Sequence, residues 1–374
     1  MRNEQRRWSS DERRIHPEET KMTPASGPAE NQSWPTRGFC CVRGPLRHAL
    51  LCMTLLAWIW GFGLLYFMPF VPEFMGMTFA IGFLLGTVFA LVCFSDVYRT
   101  CLWILLFIVC LTVGWLFVSP SNERAWVEDQ AELSTALINN TSISFSNIQR
   151  VLLDSAGEIS EVRYFDKTYQ LKDLERIWFG VECFSQLESL AHTFLTFEFT
   201  GEEDDRYLTF SIEIRREIGE TFHPLPGIFN NYELVYVLSE EREMITNRLT
   251  RTNDRFFLYP IRANAESRSA MLVDMAKRMN HLCSKPEFYN TITNNCTNNI
   301  VRHLNRISGR LVSPYRPGVM LPGYSDRVAY DSGLIDTDLS FGEMKEKYRI
   351  DLQGHELLDA KNFSSAIRRK FQEQ

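Results

Sequence analysis

Three long runs without a charged residue dominate the first third of the chain: Ala49 to Pro72, Phe74 to Ser95 and Thr100 to Asn122. Each is long enough to cross a bilayer as a helix, for which about 20 apolar residues suffice. A signal peptide has one short apolar core followed by a cleavage site, and three runs split only by Glu73 and by DVYR (Asp96 to Arg99) do not fit that pattern. Residues 49–119 therefore read as three transmembrane helices.

Beyond Pro120 the period changes. Apolar and polar residues alternate in AHTFLTFEF (Ala191 to Phe199) and in RYLTFSIEIR (Arg206 to Arg215), joined by TGEEDD, which predicts a β-hairpin. On it His192, Phe194, Thr196 and Glu198 share one face of the first strand, and Thr209, Ser211, Glu213 and Arg215 one face of the second. NNYELVYVLS (Asn230 to Ser239) and RFFLYPI (Arg255 to Ile261) predict two further strands. Met271, Leu272, Met275, Met279 and Leu282 then recur at helical spacing and form the core stripe of a helix that SKPEFY ends. A second helix follows YNTITNNCTNNIV (Tyr289 to Val301), with Ile300, Val301, Leu304 and Ile307 as its apolar stripe, Gly309 as its stop, and Thr293 or Asn294 as the expected N-cap.

Charge orients these pieces. Residues 1–48 carry nine Lys or Arg, whereas the first turn between spans holds only Glu73 and the second only one basic residue, Arg99. The positive-inside rule places the N-terminus in the cytoplasm and everything after the third span on the far side. The leading segment is polar, contains Pro and has no apolar period, so 1–48 reads as a disordered cytoplasmic tail. After Pro120 lie 30 of the 40 basic and 38 of the 46 acidic residues, a net charge of about −8 that argues against nucleic acid as a partner. Walker, GxGxxG, HExxH and CxxC patterns are absent from the sequence, and no cofactor or metal is expected.

Of nine cysteines, six lie in or beside the apolar spans, which leaves Cys183, Cys283 and Cys296 for the far side. Three is odd, so at most one disulfide can form among them. Cys296 falls in the first turn of a helix, where unpaired N–H groups and the helix dipole favour an anion, and a thiolate there is a nucleophile whose acyl adduct finds N–H donors beside it. A base must serve it. His303 lies two turns along the same helix and cannot reach back; His281 and His223 fit surface or packing roles, and His355 lies in the polar C-terminal region. His192 opens a strand of Thr, Phe and Leu, although on pattern alone a strand histidine is more often structural. Glu213 is the candidate to orient it, against a surface pairing of Glu213 with Arg215 or Arg216, and Asn295 and Tyr289 are the candidates for contacting substrate or its oxyanion.

VRYFDKTYQL, AHTFLTFEF, LTFSIEIRREIGETF, GIFNNYELVYVLSEEREMI and KPEFYNTITNNCTNNI, in that order, resemble the bacterial Lnb N-terminal periplasmic domain family over roughly Asn122 to Asp336. The resemblance implies a permuted papain-like thiol fold of the NlpC type, histidine before cysteine, with the family's cysteine on Cys296 and its histidine on His192. It further implies a lipoprotein N-acyltransferase. The expected fold class is thus α+β: three N-terminal transmembrane helices, then an extracytoplasmic domain at 122–336 with an antiparallel sheet packed on helices, then a polar extension at 337–374. The implied partners are a phospholipid acyl donor, a lipoprotein N-terminus and the bilayer, and the implied location is a bacterial inner membrane with the catalytic domain in the periplasm. The family's acyltransferase carries its membrane helices after the domain; this chain places three before it. Two other functions use the same residues: a cell-wall peptidase or amidase of the NlpC type, and a non-catalytic scaffold with Cys296 in a disulfide to Cys183 or Cys283. PYRPGVMLPGY (Pro314 to Tyr324) is expected to be a loop, either packed on the domain or covering the site.

Overall fold

The computed structural model describes residues 40–69, 71–153, 159–184, 189–202, 206–249, 255–309, 311–350 and 362–372. Residues 1–39 of the expected disordered tail therefore lie outside the described residues, as do part of the TGEEDD turn and residues 351–361 with His355, whereas residues 40–48 of that tail are helical.

The apolar runs form helices α1 (Cys40–Tyr66), α2 (Glu73–Cys93) and α3 (Val97–Leu116), each containing a stretch long and apolar enough to cross a membrane. The third begins earlier than its apolar run suggests, because the Asp96 carboxylate accepts from the N–H groups of Tyr98 and Arg99 and so caps the helix ahead of Thr100. It also ends earlier. From Phe117 the chain leaves as a connector whose Ser121 N–H donates to Glu233 and whose Asn122 amide donates to the carbonyls of Leu282 and Cys283.

Among the described residues nine strands form one mixed sheet: β1 (Thr135–Ile138), β2 (Ser142–Leu153), β3 (Ile159–Gln170), β4 (Leu174–Cys183), β5 (Ala191–Phe199), β6 (Tyr207–Arg215), β7 (Glu233–Glu240), β8 (Arg255–Pro260) and β9 (Arg349–Ile350). Their order is β1-β2-β7-β6-β5-β4-β8-β9, with β3 paired to β2. All pairs are antiparallel except β2 with β7, so the expected antiparallel sheet carries one parallel junction. The β5–β6 hairpin has the register Phe194 to Ser211 and Thr196 to Thr209.

Helices cover both faces. On one side lie α5 (Ala265–Ser284), with Met271, Leu272, Met275, Met279 and Leu282 buried, and α6 (Cys296–Ser308), whose His303 reaches Tyr236 of β7. The other side receives α4 (Glu241–Leu249) and α10 (Phe363–Gln372), whose Phe371 packs on Trp178. Every residue of β5 is consequently buried, including its alternating polar ones. The polar face survives burial because it is hydrogen-bonded: Thr196 to Thr209, Trp178 to Glu198, and Arg368 of α10 in a two-pronged ion pair with Glu241.

The region expected as a polar extension therefore contributes to the core. Residues 349–350 form β9 against β8, and Phe363, Ile367 and Phe371 are buried from one stripe of α10. Pro314 to Tyr324 packs as a loop with a short helix, α7 (Pro317–Met320), against α6; the Pro314 carbonyl accepts from Asn298, and Val319 is buried with Val301. Two further short helices, α8 (Ser325–Asp331) and α9 (Phe341–Lys347), complete that side.

The sheet domain is seated on the membrane helices through the loop before β7, whose Asn231 amide donates to the Phe67 carbonyl at 2.8 Å. Phe229, in the loop before β7, packs against Trp60 and Phe67 at ring-centroid distances of 5.0 and 5.3 Å, and its carbonyl accepts from the Trp115 indole N–H at 3.2 Å. The seat exists because residue 63 is glycine: a Cβ there would lie 2.2 Å from the Phe229 ring.

Candidate active site

The opening turn of α6 is built from asparagines. Asn295, not Thr293 or Asn294, is the N-cap: its carbonyl oxygen accepts from the Asn298 N–H at 2.8 Å while the Asn298 side chain accepts from the Asn295 N–H at 3.1 Å, a reciprocal capping box. Asn294 is one residue too early because its amide is used elsewhere, donating to the Phe288 carbonyl and accepting from Asn299 and Arg302. Asn290 closes the preceding turn by accepting from the N–H groups of Ile292 and Thr293. The helix ends at Gly309, whose φ of +64° suits glycine.

Cys296 is thus the first helical residue, 3 % exposed, with its sulfur outside any disulfide. The disulfide that the scaffold reading requires is not present. The cap uses the Asn298 N–H, and Asn299 N–H donates to the Asn295 carbonyl, so the N–H groups of Cys296 and Thr297 are the first-turn donors left to stabilise a charge at the thiol.

Thr297 ties this turn to the sheet. Its hydroxyl lies 3.0 Å from that of Thr193, one residue along β5 from His192, and 3.9 Å from the Cys296 sulfur. Side chains alternate along a strand, so Thr193 meets α6 and His192 points to the opposite side. The two sides join at the strand ends in a cavity of about 360 Å³ lined by Ala191, His192, Glu213, Tyr289 and Cys296 among others.

His192 Nε2 is 2.7 Å from Ser211 Oγ, and Ser211 donates to Glu213 Oε1 at 2.5 Å, with Glu213 3.8 Å from Nε2 directly. A serine hydroxyl has one proton. Since Ser211 gives it to the carboxylate, it accepts from the imidazole, and the neutral ring carries N–H on Nε2 and its lone pair on Nδ1. The two arginines that would give Glu213 its alternative surface pairing are engaged elsewhere. Arg215 donates to the carbonyls of Gln130 and Ala131 and stacks on Trp126, and Arg216 pairs with Asp129.

Of the other candidates, Tyr289 is buried at the cavity wall, and burial, reinforced by negative charge at Cys296 and Glu213, holds its phenol well above its usual pKa, so it stays a donor. Asn295 does not line the cavity: its oxygen caps the helix and its nitrogen donates to the Thr291 carbonyl at 2.9 Å. The remaining described histidines are placed otherwise. His303 Nδ1 donates to Asp274 and Nε2 accepts from the Tyr236 hydroxyl, each at 2.7 Å, a buried strut between α5, α6 and β7; burial lowers its pKa against the pull of Asp274. His223 and His281 are exposed. Among the described residues no group of three His, Cys, Asp or Glu side chains could hold a metal ion.

The sequence places Ser211 on one face with Glu213 but assigns it no role, and Thr297 is not singled out at all. Ser211 could be located by carrying the antiparallel register from His192 across to Glu213, which puts a hydroxyl between them; Thr297 has no signal beyond its place beside the cysteine.

No curated protein and no solved structure matches the chain. Residues 160–318, a segment from β3 into α7 that contains Cys296, His192, Ser211, Glu213 and Tyr289, match the family model described as the Lnb N-terminal periplasmic domain, which is consistent with a membrane enzyme that modifies lipoproteins.

Proposed function

We propose that this protein is a membrane-anchored thiol acyltransferase that moves an acyl chain from a phospholipid, through a thioester on Cys296, to the N-terminal amine of a lipoprotein. The observation that carries the reading is the meeting of a helix-start thiol with a Glu213–Ser211–His192 relay in one cavity of a domain seated on membrane helices.

In the first half-reaction His192 Nδ1 takes the thiol proton and the thiolate attacks the ester carbonyl. The N–H groups of Cys296 and Thr297 and the Tyr289 hydroxyl are the donors for the tetrahedral oxyanion. Collapse breaks the ester C–O bond, the imidazolium returns the proton to the departing oxygen, and lysophospholipid leaves. In the second half the acceptor amine attacks the thioester and gives its proton to His192. The thiolate departs, leaving an amide on the acceptor. Glu213, acting through Ser211, stabilises the imidazolium in both halves.

Seating beside the bilayer favours a lipid donor over a cell-wall peptide, since both substrates of the transfer are then confined to one leaflet. Mass spectrometry of lipoprotein N-termini from cells with and without the protein tests the reading. N-acylation of a subset of lipoproteins should disappear with the protein, and an unchanged set of N-termini would refute it.

A further inference from the structure

The segment between β6 and β7 carries apolar side chains left largely exposed among the described residues: Ile218 is 73 % exposed, Leu225 49 % and Phe222 39 %. They sit on one short stretch whose two ends are held. Its start is fixed by the Arg124–Glu217 ion pair and by the Ile218 N–H donating to the Ala125 carbonyl. Its end is Phe229, buried against Trp60, Gly63, Phe67 and Trp115. Gly63 lies in the last turn of α1, which ends at Tyr66, and Trp115 in the last turn of α3, which ends at Leu116. Phe229 is therefore at the depth of the final turn of two spans, where a bilayer passes from hydrocarbon to headgroups. Leu225 is four residues away and separated from it by a single turn of 3₁₀ helix.

The same stretch reaches the catalytic cavity. Thr221 and Phe222 line it, and the Phe222 ring stands edge-on to Tyr289 at 6.5 Å. Thr291, in the turn before Cys296, donates its hydroxyl to the Pro224 carbonyl and its N–H to the Gly227 carbonyl, and Asn290 donates to the Ile228 carbonyl. One loop thus touches the membrane helices, the cysteine turn and the mouth of the cavity.

We infer that Ile218, Phe222 and Leu225 insert into the leaflet on the domain side, so that the Cys296 cavity opens on lipid and the acyl donor enters it past Phe222 without leaving the bilayer. The occupant is a lipid surface, not a second protein, because these side chains continue an apolar contact that already lies at the depth of the spans. The inference rests on the acyl-transfer reading for the identity of what enters, but the membrane contact itself does not.

The experiment uses the full chain in nanodiscs of phosphatidylethanolamine and phosphatidylglycerol. A benzophenone amino acid is placed at position 218 or 225, and at the exposed Lys172 as control, and irradiated. Adducts one phospholipid heavier should form at 218 and 225 and not at 172. In parallel, Ile218→Glu and Leu225→Glu are assayed with the bilayer phospholipid and with a water-soluble short-chain ester as donors. Burying a carboxylate in place of an apolar side chain at the interface should cut turnover of the bilayer donor about tenfold or more and leave the soluble ester within about twofold. Absence of lipid adducts at 218 and 225 overturns the insertion; equal effects of the substitutions on both donors overturn the entry route. If the wild-type protein transfers no acyl chain from either donor, the acyl-transfer reading falls while the adducts still decide the membrane contact.

Discussion

Ser211 is completely buried between His192 and Glu213, its hydroxyl 2.7 Å from Nε2 of the one and 2.5 Å from Oε1 of the other. Ser211→Ala leaves the imidazole with a carboxylate 3.8 Å away and no proton path to it. Loss of a partner that orients and charges a catalytic base costs about 10- to 100-fold in comparable sites, so kcat should fall by about that factor with KM little changed. Steady-state kinetics of both half-reactions check this, and a pH profile that loses its acidic limb's position with the substitution separates a positioning role from mere packing. Much of the residue-level chemistry is legible in the sequence: a cysteine at a helix start and a histidine opening a strand. What is not legible is how neighbours are spent. Asn295 stands next to the thiol yet is consumed by the cap, whereas Ser211, distant in sequence, stands between the two groups that matter. Hydrogen-bond satisfaction decides both, and it depends on three-dimensional partners.

At the scale of elements, the asparagine cap of α6 supports both stability and the aim of the thiol. Asn295→Ala removes the acceptor for the Asn298 N–H and should cost about 1 kcal/mol, measured as a lower unfolding midpoint in denaturant, with a loss of acyl transfer that exceeds the loss of folded protein. Equal losses would make the cap purely structural. Helices α5 and α6 and the β5–β6 hairpin are readable from period alone, down to the stop at Gly309. The strands from Thr135 to Cys183 are not. β4, LERIWFGVEC, is buried on both faces over most of its length and shows no alternation, while the pairing of β2 with β3 is interrupted by register shifts. The α10 helix escapes a reading by composition because its polar residues outnumber the apolar stripe of Phe363, Ile367 and Phe371 that buries it.

For the molecule as a whole, the cavity holds a carboxyl group that couples stability to pH. Burial, with the neighbouring Glu240, raises Glu243 to about 8 from an ordinary 4.5. Between those values the folded protein holds a proton that the unfolded chain has lost, so the stability this group contributes is present below about pH 4.5 and is lost as pH rises through about 8. Glu243→Gln, which cannot ionise, should match wild type near pH 5 and exceed it in melting temperature at pH 9; thermal scans across that range check it, and a gap that shrinks with rising pH would contradict it. The proposed catalysis couples to the same whole, because the domain is seated on its membrane helices and the thiol opens on the cavity that Glu243 shares. The central claim is that Cys296 carries the acyl group between donor and acceptor. Intact-protein mass spectrometry of the full chain after incubation with phospholipid, without an amine acceptor, tests it most directly. The account predicts a mass gain of one acyl chain that maps to Cys296, is released by hydroxylamine as a thioester should be, is discharged on adding a lipoprotein amine, and is absent from a folded Cys296→Ser protein; an active wild type with no adduct, or a Cys296→Ser protein that still transfers acyl chains, would contradict it.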